Sequence, residues 1–399
     1  MKKIFLFLFI YFATNFTASA TTWQNIGSAG FSTGDVQYTS IAIDASGTPY
    51  VAFEDMVNGE KATVMKYLNG NWVELGSGGI SLGRAEWTSI AIDGSDTPYV
   101  VYRDWGIALK IVVKNFLSGA WSLVGSPGFT IDQDYYTTIA IDNNGTPYVA
   151  FTDDVNGGEA QVMTYSSGTW SVVGSAGFTG SRKDYTSIAI DGNGIPYVVY
   201  KDWGNSYKAT VMKFSGGTWS VVGTAGFSAG EVYYTTIAID QSGTPYIAYS
   251  DVPNGFKATV MKFSGGTWSV VGSAGFSAGQ ADYTSLAINA SGTPYVVYSD
   301  WGNSKKATMM KFSGGTWSVV GSAGFSAGQA DYTSIAINRN GNPYVVFRDF
   351  GNSQKVTVMN FPVAQNVTSS VPLFPTWVMI SLIIAMSGYS GYYLLRKAS

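Results

Sequence analysis

Four aromatic residues and four arginines are the groups in this chain best suited to holding a ligand. Trp105, Trp203 and Trp301 follow aspartate in three DWG triplets, and Phe350 takes the same place in a DFG triplet. A flat ring beside Asp, Asn and Arg is the equipment of a carbohydrate site, because the ring covers the apolar face of a sugar while polar groups bind its hydroxyls. Arg84, Arg103, Arg182 and Arg348 belong to the same stretches of sequence. Their guanidinium forks suit a carboxylate-bearing sugar. For any single ring, the simpler reading is a space-filler between neighbouring units.

A second set of acidic residues keeps strict phase: Asp55, Asp104, Asp153, Asp202, Asp251, Asp300 and Asp349. Calcium needs six to eight oxygens. Each copy here offers one carboxylate and no clustered acidic loop, so the expected role is structural, with the side chain accepting hydrogen bonds from loop amides at a strand end. No metal or cofactor is expected.

Catalysis has little to work with. Neither histidine nor cysteine occurs, which excludes imidazole and thiolate metal sites, cysteine nucleophiles and every histidine-based triad. A glycosidase needs two facing carboxylates. Glu54, Glu86, Glu231 and Asp154 are available, but spacing singles out no pair. A tyrosine nucleophile with a glutamate partner would draw on Tyr135 or Tyr233. The net charge of -3 carries no polycationic footprint, so nucleic acid is not an expected partner.

The elements that must position these groups come from a repeat. Trp23, Trp72, Trp121, Trp170, Trp219, Trp268 and Trp317 are each 49 residues apart, with no insertion. A period in the forties carrying four strand signals is the mark of propeller blades. In the sixth copy the strands are read at Tyr283–Asn289, Tyr295–Tyr298, Ala307–Phe312 and Trp317–Gly321, with the small Ser285 and Ala287 turned to the crowded axis. The expected fold is therefore all-β: a seven-bladed propeller of four-stranded antiparallel blades over residues 21–361. The chain opens on an outermost strand, and its last copy lacks one. Pairing of Trp23–Gly27 with Val356–Phe361 would close the ring without an exposed edge.

The two faces of such a disc differ. Turns such as ASGT, QSGT and the SGGT hairpin are nearly identical among the copies, whereas the blade-to-blade segments diverge, as RAE (84–86), RKD (182–184) and QAD (280–282). The DWG and DFG triplets fall on the divergent face. Loops of equal length throughout argue for binding rather than an elaborated active site.

With its DxSGTPYV turns, the chain resembles bacterial secreted repeat propellers over nearly all of the repeat region. SGGTW stands where sialidase-like propellers carry an Asp-box, but the box aspartate is missing, as in Ser264–Trp268. The expectation is a non-catalytic binding or adhesion module, possessing a multivalent glycan face, whose partner is a glycan or protein at a cell surface. A structural surface protein and a glycan-active enzyme are the alternatives.

The termini carry address signals. Residues 1–20 hold Lys2, Lys3, an apolar run and Ala18-Ser19-Ala20, the order of a secretory signal peptide. Beyond a linker at 362–375, residues 376–395 are uncharged and long enough to span a bilayer, and the tail 396–399 is basic. The order VPLFPTW, apolar helix, Arg-Lys is similar to C-terminal sorting signals of the exosortase type. Export is expected, with the propeller outside the inner membrane, anchored by that helix or released to the surface after processing.

Overall fold

The computed structural model describes residues 22–76, 78–130 and 134–363. The expected signal peptide and the expected membrane-spanning segment lie outside those residues. Among the described residues, no helix is long and apolar enough to cross a membrane.

Seven four-stranded antiparallel sheets form the blades of a propeller. Blade six is typical: Ala281–Ile288, Pro294–Asp300, Lys306–Ser313 and Thr316–Val319 pair in sequence order. These strands begin a residue or two before the sequence expectation because register pairing continues past the apolar run, as in Asp300 opposite Lys306. The second strand is buried along its whole length, as a strand covered on both faces requires.

Each hydrophobic core lies between blades rather than within one. Tyr246, Val260 and Val271 of blade five pack against Leu286, Val296 and Tyr298 of blade six. The first strand shows why a lone repeat has no core: Leu286 enters this cluster, while Ala287 packs into the next one, between blades six and seven. The small face of the first strand thus meets the neighbouring blade.

Each outer-strand tryptophan clasps the preceding blade. Trp317 donates its indole N–H to the Val271 carbonyl (2.7 Å) and stacks on Phe276 with centroids 4.1 Å apart. Gly272 must approach that indole closely at φ 75°, where an added Cβ would lie 2.8 Å from Phe312.

Both ends of the propeller complete blade seven. Gln24 and Asn25 pair with Asn360 and Met359, and Ile26 N–H donates to the Val358 carbonyl at 2.9 Å. The last interblade core, with Val346, Val356 and Val358 against Val36, Ile41 and Val51, closes the circle.

Candidate functional site

The first strand of every blade carries an irregularity near its start, where the pairing register shifts, as between Asp282 and Ser285. At that place stands an aromatic residue in the left-handed region: Tyr38, Trp87, Tyr136, Tyr185, Tyr234, Tyr283 and Tyr332, with φ between 50° and 56°. Bulky side chains rarely adopt such angles, and bulges that re-aim side chains gather at functional sites. Here they turn all seven rings toward the axis at the divergent mouth of the propeller.

The result is a closed aromatic collar. Neighbouring centroids are 4.6–5.2 Å apart all the way round, including Tyr332 to Tyr38. Collar and following threonines line a cavity of about 400 Å³. The threonines strap adjacent blades: Thr284 Oγ1 donates to the Tyr234 carbonyl at 2.6 Å, and Thr137 does the same to Trp87 at 2.6 Å. Burial, reinforced by Asp184, pushes the Tyr136 phenol up to about 12. Burial also raises the Tyr38, Tyr185, Tyr234 and Tyr283 phenols, so they remain neutral donors.

Outside the collar lie the expected aromatic residues. Trp105, Trp203, Trp301 and Phe350 each begin a short 3-10 turn after the second strand. Their exposures of 50, 42, 47 and 39% leave part of each ring open to solvent. Trp203 donates its indole N–H to Asp184 (2.8 Å), and Trp301 to Asp282 (2.7 Å). Arg84, Arg182, Lys305 and Arg348 stand over Trp105, Trp203, Trp301 and Phe350 at 5.4, 5.1, 4.0 and 5.0 Å. These rings are thus held in place rather than free to swing.

The arginines are largely committed to carboxylates. Arg84 meets Glu54 (2.8 Å), Glu86 (3.1 Å) and Glu60 (3.2 Å). Arg103 is buried, bonded to Glu86 and lying over Tyr135 at 4.7 Å. Arg348 grips Asp35 with two bonds of 2.9 Å. Arg182 is the most open, at 3.4 Å from Asp184.

Four of the phased aspartates, Asp104, Asp202, Asp300 and Asp349, cap the 3-10 turns that follow them. Asp300 accepts from Gly302 N–H (3.0 Å), Asn303 Nδ2 (2.7 Å) and Thr308 Oγ1 (2.8 Å), and Asp349 repeats the set with Gly351, Asn352 and Thr357. Asp104 and Asp202 also accept from the turn glycines Gly106 and Gly204. Asp55 and Asp153 accept from Val57 and Val155 N–H, and Asp251 from Asn254 and Thr259. Among the described residues, no group of three acidic residues is placed to hold a metal ion.

Of the carboxylates considered for catalysis, Glu54 and Glu86 are brought together by Arg84. Glu54 is fully buried, and burial raises its carboxyl to about 7 despite that arginine. Glu231 sits with Lys201 (2.6 Å), whose hydrogen bond holds it below the usual carboxylate range. Lys201 also lies 3.6 Å from the Tyr233 ring centre. Asp154 is exposed on the turn of blade three.

Sequence reasoning missed the collar, although its signal was present: an aromatic residue every 49 positions from Tyr38 to Tyr332. Strand alternation assigns the ring a face, but not the bulge that re-aims it.

In fold the chain is similar to a protein of unknown function from Dyadobacter fermentans (12% identity, TM-score 0.50), covering 86% of this chain and 98% of that one. An ulvan lyase from a polysaccharide lyase family is similar at 12% identity and TM-score 0.52, over 84% and 94% of the two chains. A fungal alcohol oxidase, solved with copper, is similar at 12% and 0.54, over 85% and 77%. At such identities the likeness is one of fold, which hosts both binding and catalysis. No family model matches the chain, and no curated protein matches it in sequence.

Proposed function

We propose that this chain is a non-catalytic binding module that presents the divergent face of its propeller to carbohydrate at a cell surface. The observation that carries this reading is the pinning of Trp203 and Trp301 by Asp184 and Asp282 while their rings stay nearly half exposed. A ring fixed before the ligand arrives loses little freedom on binding, and two such rings, joined by the exposed Trp105 and Phe350 on two other blades, supply several weak contacts whose avidity exceeds any one of them. The engaged arginines favour neutral over acidic sugars.

Two features support binding over turnover. Neutral collar phenols supply no phenolate nucleophile at ordinary pH. The raised Glu54 carboxyl is enclosed, with no exposed surface from which to reach a substrate. The specific observation on the side of an enzyme is that same carboxyl near 7 beside Glu86, joined through Arg84.

A glycan array with the purified full chain tests the proposal. Binding is expected to fall at least about tenfold in the W203A/W301A double variant. Binding that survives both changes removes the site, and turnover abolished by E86Q would favour an enzyme. The same proposal places the module outside the inner membrane through its N-terminal signal, with the C-terminal segment acting as an anchor or a sorting signal. Mass spectrometry of the mature C-terminus separates those two fates: an intact Ser399 means an anchor, and loss of everything beyond about residue 371 means processing.

A further inference from the structure

We propose that the aromatic collar is a second site, separate from the outer rings, and that it takes one small organic cation of the alkylammonium class. Planes of adjacent collar rings turn by 42–57°, close to one seventh of a full turn. Rings related by rotation about an axis differ by that angle only when they stand nearly parallel to it. They therefore form an upright wall. Seven centroids about 5 Å apart on a closed circle stand about 6 Å from its centre, within the roughly 6 Å at which a cation is attracted to an aromatic ring. The cavity of about 400 Å³ admits a tetraalkylated nitrogen and gives it several rings at once.

Charge around the collar has the matching sign. Arg84 is answered by Glu54, Glu60 and Glu86, Arg103 by Glu86, Arg182 by Asp184, Lys201 by Glu231 and Arg348 by Asp35, whereas Lys305, over Trp301, makes no ion pair among the described residues. Asp282 and Asp331 immediately precede collar tyrosines and make no ion pair among the described residues. Asp282 accepts from Gln280 and Trp301, and Asp331 from Gln329. Blade seven has Phe350 where blade six has Trp301, so Asp331 receives no indole N–H. Both carboxylates act on the neutral Tyr234 and Tyr283 phenols. With Lys305 set against these two carboxylates one negative charge remains, and apolar rings backed by it favour a weakly hydrated cation over a neutral or anionic ligand of equal size.

Calorimetric titration of the full chain with choline, and with its neutral isostere carrying tert-butyl in place of trimethylammonium, tests the assignment. Choline is expected to bind at one site per chain, about tenfold tighter than the isostere. The D282N/D331N variant should bring choline down to the level of the isostere and leave the isostere unchanged. Equal binding of both compounds, binding of neither, or choline binding indifferent to D282N/D331N would each overturn the inference. The W203A/W301A variant keeps the two proposals distinguishable. Choline affinity should persist in it, and loss there would move the cation to the outer rings and remove the collar site.

Discussion

Trp23 donates its indole N–H to the carbonyl of Val320 across 2.9 Å, although 297 residues separate the two along the chain. The bond repeats the clasp that every other blade makes with a neighbour 46 residues away, as from Trp219 to Val173 at 2.7 Å. Trp23 also stacks on Phe325 at 3.8 Å. The ring is thereby closed by an ordinary interblade contact made between the two ends of the propeller.

Removing that contact should loosen the ring as much as breaking any internal clasp. W23A and W219A are each expected to cost about 2–4 kcal/mol, a Trp→Ala loss moderated by partial exposure. Denaturant unfolding of both variants checks this. A W23A protein as stable as the wild type would mean that the end strand contributes nothing.

Blade four holds a buried ion pair whose partners are not equivalent. Lys183 faces Asp202 and bonds to it, whereas blade five has Val232 facing Asp251. K183V should lie within about 1 kcal/mol of wild type, because Asp202 keeps Gly204, Asn205 and Thr210 as donors. D202A leaves a buried ammonium without its counter-ion and is expected to cost about 3–5 kcal/mol. Equal effects in urea titrations of the two variants would contradict this asymmetry.

Glu54 should make stability fall with rising pH. Burial lifts its carboxyl in the folded chain from 4.5 to about 7, so between those values the folded state binds more protons than the unfolded one. Its favourable contribution is complete below about 4.5 and is lost as pH rises through about 7. E54Q should flatten that slope, because an amide has no proton to lose. Thermal unfolding of both proteins from pH 4 to pH 8 provides the comparison, and parallel curves would exclude Glu54 as the source.

The collar should resist ionisation on the alkaline side. Tyr136 is lifted from 10 to about 12, so its stabilising share is complete below about 10 and disappears as pH approaches 12. Ultraviolet titration is expected to show exposed phenols ionising first, followed by the collar phenols together with loss of the fold. Full ionisation of every tyrosine near pH 10 with the fold intact would show that the collar is not buried as described.

The period of 49, the seven blades and the closure at Trp23 were all legible in sequence, because stacked repeats must bury one another's faces and strand patterns are local. The phased aspartates were legible as turn acceptors, since their donors lie two, three and eight residues onward, as around Asp300. What required tertiary structure was everything assembled across blades. Tyr234 and Tyr283 are far apart in the chain and become neighbours at 5.0 Å only when a bulge re-aims the side chain of each and the propeller closes around them. In the same way, the sequence placed Arg84 and Arg348 on the divergent face but not against Glu54 and Asp35, because side-chain pairing between blades depends on how neighbouring sheets are set against each other.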